Sequence, residues 1–200
     1  MARRAAPDAA HSLPVRPPKV RVFFALWPDA DVAARLDALG AEAHADCGGR
    51  RTRRDTLHLT LAFIGDIDAV RVPALIGAAD TVAVEPLTLC LDRVGSWRHN
   101  RIAWAGTQSV PAALTTLANG LIDALRAAGF QLERRNFAPH VTLLRRIHDA
   151  FPERDVAPVD WRVERFVLVE SQRLPQGAQY RILAQWPAGG SAGCPVRTEQ

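Results

Sequence analysis

The tetrapeptide H-x-T-L occurs twice, in "LHLTLAFIG" and in "PHVTLL", with His58 and His140 82 positions apart. Each copy closes a unit of the same order: a buried strand, a long helix, then the strand that carries the motif. In the first unit "RVFFALW" from Arg21 reads as the strand and "PDADVAARLDALGAEAHAD" as the helix. Pro28 lies at that helix's entry, Asp29 or Asp31 is available to cap it, and Val32, Leu36 and Leu39 recur at helical spacing. In the second unit "RIAWAG" is the strand, Val110 to Phe130 the helix opened by Pro111, and "APHVTLL" the strand. Repetition of both the order and the tetrapeptide predicts a duplicated unit, and so two similar lobes.

The rest of the chain fits around these units. A further helix is expected over Asp68 to Val82, and "LTLCLDRVGSW", with Leu87, Leu89 and Leu91 alternating against polar neighbours, is a period-two strand. "HDAFPERDVAP" reads as a loop, and "WRVERFVLVES" and "QYRILAQWP" as two strands joined by the turn "RLPQGA". "CGGRRTRRDT" reads as a loop with four arginines. Residues 1–18 and 188–200, rich in Pro, Gly or Ala and without periodicity, are expected to be flexible tails, leaving 19–187 as one bilobal domain.

Composition narrows the classes. No run approaches the roughly 18 apolar residues of a membrane span, and the N-terminus lacks the apolar core of a signal peptide. Cys47, Cys90 and Cys194 are too scattered for a disulfide framework or a CxxC zinc site, so a reducing cytoplasm is expected. A net charge of +4 suits a polyanionic partner such as RNA, although the near-absence of Lys beside Arg mainly reflects coding bias.

In a strand, residues two apart share a face, so His58 and Thr60 point one way while Leu59 and Leu61 point the other. His140 and Thr142 obey the same rule. Two histidines facing one reacting group form an acid and a base, which is what phosphodiester chemistry needs: one oxygen loses a proton to attack phosphorus while another gains one as it leaves. Thr60 and Thr142 are placed to donate to non-bridging oxygens, and an arginine beyond Thr142 would supply charge. Arg145 and Arg146 cannot both face the cavity, and parity favours Arg145 only if a bend follows the strand. Two histidines with no Asp, Glu or Cys at ligand spacing make a poor metal site, so neither metal nor other cofactor is expected. His11, His44 and His148 read as surface or tail residues, and His99 as a candidate substrate contact.

With these motifs in hand the sequence resembles the 2H phosphoesterase superfamily, and within it the bacterial and archaeal RNA 2′,3′-cyclic phosphodiesterases, also called 2′-5′ RNA ligases. "RVFFALWP", "LHLTLAFIGDI", "GSWRHNRIAWAG", "PHVTLLRR" and "FVLVESQRL…YRILAQW" stand in the family's order across about Val20 to Pro187. The resemblance implies an α+β fold of two pseudo-symmetric lobes whose antiparallel sheets line a central cleft, with helices outside. It implies hydrolysis of an RNA terminal 2′,3′-cyclic phosphate to a 2′-phosphomonoester without metal or nucleotide cofactor; a monomer acting on RNA ends, with no membrane partner, is expected. His58 would protonate the leaving 3′ oxygen, His140 would act as base on water, and Thr60 and Thr142 would hold phosphate oxygens. The family's arginine falls on Arg145, and Phe24 is the nearest match to an aromatic that stacks on the terminal base, with Phe23 as its buried neighbour. Two other readings remain: a cyclic phosphodiesterase for small nucleotides or 2′,5′-linked oligonucleotides, and an RNA-end binder without catalysis. The paired histidines speak against the second.

Overall fold

The computed structural model describes residues 17–132, 137–174 and 177–187. The expected C-terminal tail, residues 1–16 of the N-terminal one and the tip of the turn at 175–176 lie outside the described residues. The elements in order are β1 (Lys19–Leu26), α1 (Ala30–Cys47), β2 (Arg50–Arg51), β3 (Leu59–Asp68), α2 (Val72–Ala79), β4 (Leu87–Trp97), β5 (Ile102–Gly106), α3 (Ala112–Ala127), β6 (His140–Arg145), β7 (Arg154–Val163), β8 (Arg165–Leu174) and β9 (Gly177–Pro187). Helix α1 starts where Asp29 caps it, its carboxylate accepting the Val32 N–H at 2.8 Å. Among the described residues no helix is long and apolar enough to cross a membrane.

The strands form one antiparallel sheet in the order β7-β4-β5-β6-β3-β1-β8-β9, with β2 added to β6. This is two four-stranded lobes side by side, β7-β4-β5-β6 and β3-β1-β8-β9. They meet at the single pair Leu59 and Val141, each one residue beyond a motif histidine. The helices cross over. Helix α1, which links the first lobe's β1 to β3, packs on β6 and β7 of the second lobe, while α3, which links β5 to β6, packs on β3 of the first. An Arg154–Asp46 ion pair at 2.6 Å also ties β7 to α1. Each repeat therefore covers the other's strands, which holds the narrow seam shut.

Period-two alternation sorts β1 between two faces. Val22, Phe24 and Leu26 enter the main core beneath the helices, whereas Phe23 and Ala25 join Val167 and Val169 on the opposite face, beside Trp27 and Tyr180. The alternation is broken at the same place in both lobes. Thr60 pairs with Ala25 and Ala62 with Phe24, leaving Leu61 extra; Thr142 pairs with Trp104 and Leu144 with Ala103, leaving Leu143 extra. A β-bulge thus follows each motif threonine and resets the side-chain phase beyond it. Leu143 and Leu144 are both buried, and Arg145 emerges on the side of Thr142. In the first lobe Leu61 and Ala62 are both buried, and Phe63, 43% exposed, takes the position that matches Arg145.

Four expectations about elements need correction. The run 161–171 is not one strand: it breaks at Glu164, with β7 pairing β4 in one lobe and β8 pairing β1 in the other. The core positions change phase there, from Trp161 and Val163 to Phe166 and Leu168, which a continuous strand cannot accommodate. The expected loop before it already joins β7 at Arg154. The expected helix from Asp68 begins only at Val72, because β3 continues to Asp68 opposite Lys19 and Pro73 then sits in the first turn. Within the arginine loop, Arg50 and Arg51 pair with Arg145 and Leu144 as a short strand.

Gly49 makes that last pairing feasible. Its φ is +91°, and a β-carbon there would lie 2.9 Å from both the Arg145 carbonyl oxygen and the Ile147 Cα. Gly49→Ala should cost about 2–4 kcal/mol through backbone strain and overpacking, lowering Tm by about 5–15 °C in a chain of this size. Melting at the wild-type temperature would show that β2 does not lie against β6.

Candidate active site

His58 is placed by a detour in the chain. After β2, the Thr52 N–H donates to Leu143 O at 2.8 Å, keeping the chain on β6. A 3-10 turn at Arg54–Thr56 then carries it outward before Leu59 rejoins β6 opposite Val141. The turn is held by the Thr56 hydroxyl, which donates to Arg53 O at 2.8 Å. His58 closes this bow, its Nδ1 lying 2.7 Å from Thr56 O; His140 repeats the contact, its Nδ1 2.8 Å from Ala138 O. A carbonyl oxygen only accepts, so each Nδ1 carries hydrogen and each Nε2 is left to exchange a proton. Both motif histidines are thus fixed in the same tautomer by the carbonyl two residues earlier.

Aromatic rings pack around both imidazoles. Trp27 stacks on His58 with centroids 5.5 Å apart and planes 7° apart, Phe23 lies at 4.9 Å, and Tyr180 meets the ring edge-on at 5.3 Å. Trp97 stands edge-on to His140 at 4.6 Å. These walls remove water from the imidazoles and so disfavour their charged forms. Burial pushes His58 down to about 4, against a weaker upward pull from the Thr56 carbonyl; Arg145 and His140 lower it further. Burial also holds His140 below the ordinary histidine value, opposed by Ala138 O and assisted by Arg145.

Two pockets meet at the seam and share Thr142 and Arg145. The smaller, of about 90 Å³, is lined by His58 together with Arg50, Thr52, Thr56 and Tyr180. The larger, of about 380 Å³, is lined by His140, Thr60, Phe63, Trp97 and Phe137. Five of the six expected site residues therefore gather at one place, and Arg145 does so because of the bulge inside β6 and not through a bend after it. Phe24 does not. It is fully buried, 6.1 Å from Phe166 and 5.8 Å from Trp186 by ring centroids, on the helix side of the sheet. It therefore has no face to offer a base. The sequence "VFFA" carries aromatics at both parities, so nothing in it chooses between them; Phe23 is the one on the histidine side. His99 is exposed and stacks on Trp97 at 6.3 Å, one ring removed from His140. Nothing in the sequence marks Trp27, Trp97 and Tyr180 as site residues, because strand alternation does not reveal which residues of distant strands surround a histidine. Among the described residues no cluster of three or more His, Cys, Asp or Glu is arranged to hold a metal ion.

An antiparallel sheet of two lobes, with an H-x-T motif from each at their seam, is the fold of a 2H phosphoesterase. A family model described as "LigT like Phosphoesterase" matches residues 26–104 and again 106–180, one match in each half. The chain belongs to this LigT-like phosphoesterase family. It is 33% identical over 170 residues to the RNA 2′,3′-cyclic phosphodiesterase of Escherichia coli (strain K12), covering 83% of this chain and 95% of that one. The crystal structure of E. coli LigT complexed with 3′-AMP matches with a TM-score of 0.78 at 30% identity, over 86% of this chain and 100% of the other. TT0787 of Thermus thermophilus, at 24% identity and a TM-score of 0.73 over 85% of this chain and 98% of its own, shares the fold.

The site's geometry fixes an observable in the free protein. Long-range 1H–15N spectra should show both His58 and His140 as Nδ1–H tautomers near neutrality, with His58 titrating near pH 4 and His140 below 6.5. A His58 midpoint at the ordinary value would mean that its aromatic wall is open to water.

Proposed function

We propose that the protein hydrolyses the terminal 2′,3′-cyclic phosphate of RNA to a 2′-phosphomonoester, needing neither metal nor nucleotide cofactor. The observation that carries this reading is the pair of imidazoles at one seam, each with Nδ1 tied to its own backbone and Nε2 without a partner among the described residues. On this reading His140 Nε2 takes a proton from water as the water oxygen bonds to phosphorus. The P–O3′ bond breaks and His58 Nε2 gives its proton to O3′. The product leaves with the phosphate on O2′, and solvent returns both histidines to their starting states. Thr60 and Thr142 donate to the non-bridging oxygens, and Arg145 offsets the charge that builds on them. The larger pocket has room for the terminal nucleoside, with Phe63, Trp97 and Phe137 as its apolar walls.

An acid that sits near 4 when the site is empty acquires its proton through the substrate. A phosphate charge about 4 Å from an imidazole is worth about 4 kcal/mol at an effective dielectric of about 20, enough to carry it back towards neutrality. With a 5′-hydroxyl in place of water, the same proton transfers would join it to the phosphate as a 2′-5′ linkage while P–O3′ breaks. We place the protein in the cytoplasm, where the free thiols of Cys47 and Cys90 stay reduced. A monomer of one bilobal domain is supported by the crossed helices, and by exposed large apolar residues that are scattered, at Phe63, Val70 and Val110 among those described.

Turnover of an oligonucleotide ending in a 2′,3′-cyclic phosphate should fall about a hundredfold or more in His58→Ala and in His140→Ala, the scale expected of general acid–base groups. Near-wild-type rates in either variant would end the mechanism. The pH dependence follows from the directions of the shifts. Catalysis needs one proton on the pair, so kcat/KM is lost at low pH when both are charged and at high pH when both are neutral. Both histidines sit below 6.5 in the free site, so its maximum should lie below pH 6.5. The bound anion raises both, so the kcat profile should be displaced to higher pH. A kcat/KM maximum above about pH 7.5 would contradict the acid–base pair.

A further inference from the structure

Three of the four arginines that follow Gly49 are engaged by the protein itself. Arg51 pairs with Asp37, Arg53 with Asp55 at 2.6 Å, and Arg54 donates to Ala30 O. Arg50 differs. Its backbone lies directly opposite that of Arg145, so two like charges face each other across β2 and β6, an arrangement that costs stability where nothing negative lies between them. Neither side chain has an ion-pair or hydrogen-bond partner among the described residues. In the same small pocket the Thr52 hydroxyl is closed off from solvent and has no hydrogen-bond partner among the described residues. A buried polar atom left unmatched calls for a specific explanation.

These features converge on an anion. Building on the hydrolase reading above, we propose that Arg50 and Thr52 hold a second phosphate of the RNA, the phosphodiester immediately 5′ to the terminal cyclic phosphate. The pocket of about 90 Å³ fits a phosphate group and is too small for a nucleoside. It adjoins the catalytic centre through His58, Thr142 and Arg145, while β2 lies on the seam side of β6 opposite Leu144 and Arg145, three and four residues along that strand from Val141, where β3 meets it. An anion on β2 therefore sits beside the reacting phosphorus and not on it. Outward from there a groove of about 850 Å³ shares Arg51, Thr52 and Arg53 with the pocket and continues to Trp27 and the start of α1. That groove gives the upstream nucleoside a place, with an indole at hand for stacking. The site is then built for a chain end with at least two nucleotides, and the basic segment confers this through Arg50 while its other arginines brace the bow.

The test compares three substrates: adenosine 2′,3′-cyclic phosphate, the dinucleotide ApA ending in a 2′,3′-cyclic phosphate, and the same dinucleotide with a neutral methylphosphonate linkage. Wild-type kcat/KM should be at least tenfold higher on the phosphodiester dinucleotide than on the other two. Arg50→Gln and Thr52→Val should remove most of that advantage while changing the mononucleotide rate less than twofold, and that rate also reports folding. An advantage that survives Arg50→Gln, or equal losses on all three substrates, would overturn the proposal, the latter by placing Arg50 on the cyclic phosphate itself. Binding keeps the two readings separate. The His140→Ala protein should bind the phosphodiester dinucleotide about tenfold tighter than the methylphosphonate by calorimetry, and equal Kd values would overturn the proposal. Wild-type protein that binds with this preference yet turns over none of the three would contradict the hydrolase reading alone.

Discussion

Two strands that touch at one residue pair govern this molecule. Leu59 and Val141 are the only register at which β3 meets β6 among the described residues, and the histidines precede them by one position each. Pairing in any other register would separate the imidazoles or turn one of them towards the helices. So short a contact cannot hold two four-stranded lobes by itself. The crossed helices do that, α1 lying on the second lobe's strands and α3 on the first's, and a damaged helix would therefore be felt at the seam. Duplication and interlocking serve one end, which is to bring two copies of a tetrapeptide face to face.

The surroundings of the imidazoles set a balance between desolvation and charge. Tryptophan, phenylalanine and tyrosine rings exclude water from His58, and Trp97 does so for His140, so both histidines resist protonation while the site is empty. The carbonyls at Thr56 and Ala138 keep the rings oriented without neutralising them. On the proposed mechanism, the phosphate anion that enters offsets this desolvation and so creates the acid that its hydrolysis uses. On the same mechanism Arg145, at the rim shared by both pockets, works against that protonation and in favour of the pentacoordinate charge.

Much of this was legible in the residues. The repeated H-x-T-L carries both the duplication and the polar face, because strand parity is a local property. What failed were inferences that carried parity past an irregularity or across strands. The bulge after each threonine resets the phase, so Arg145 reaches the site by a route that a regular strand does not offer. The break at Glu164 shows in the sequence only as a one-residue slip of the apolar pattern, easily lost among the flanking arginines. Phe24 and Phe23 satisfy either parity as adjacent aromatics, and only the packing of Phe166 and Trp186 against Phe24 decides which of them is core. The aromatic wall and the unmatched Thr52 hydroxyl depend on contacts between distant segments, to which no local pattern gives access.

The central claim, that one imidazole delivers water to phosphorus while the other releases the 3′ oxygen, is tested most directly by the fate of the phosphate. An RNA oligonucleotide ending in a 2′,3′-cyclic phosphate, incubated in 18O-water with EDTA present and followed by 31P NMR, should give a single product. That product should be the 2′-phosphomonoester carrying one 18O on phosphorus. A 3′-phosphate, a mixture of the two isomers, or turnover abolished by the chelator would contradict the account.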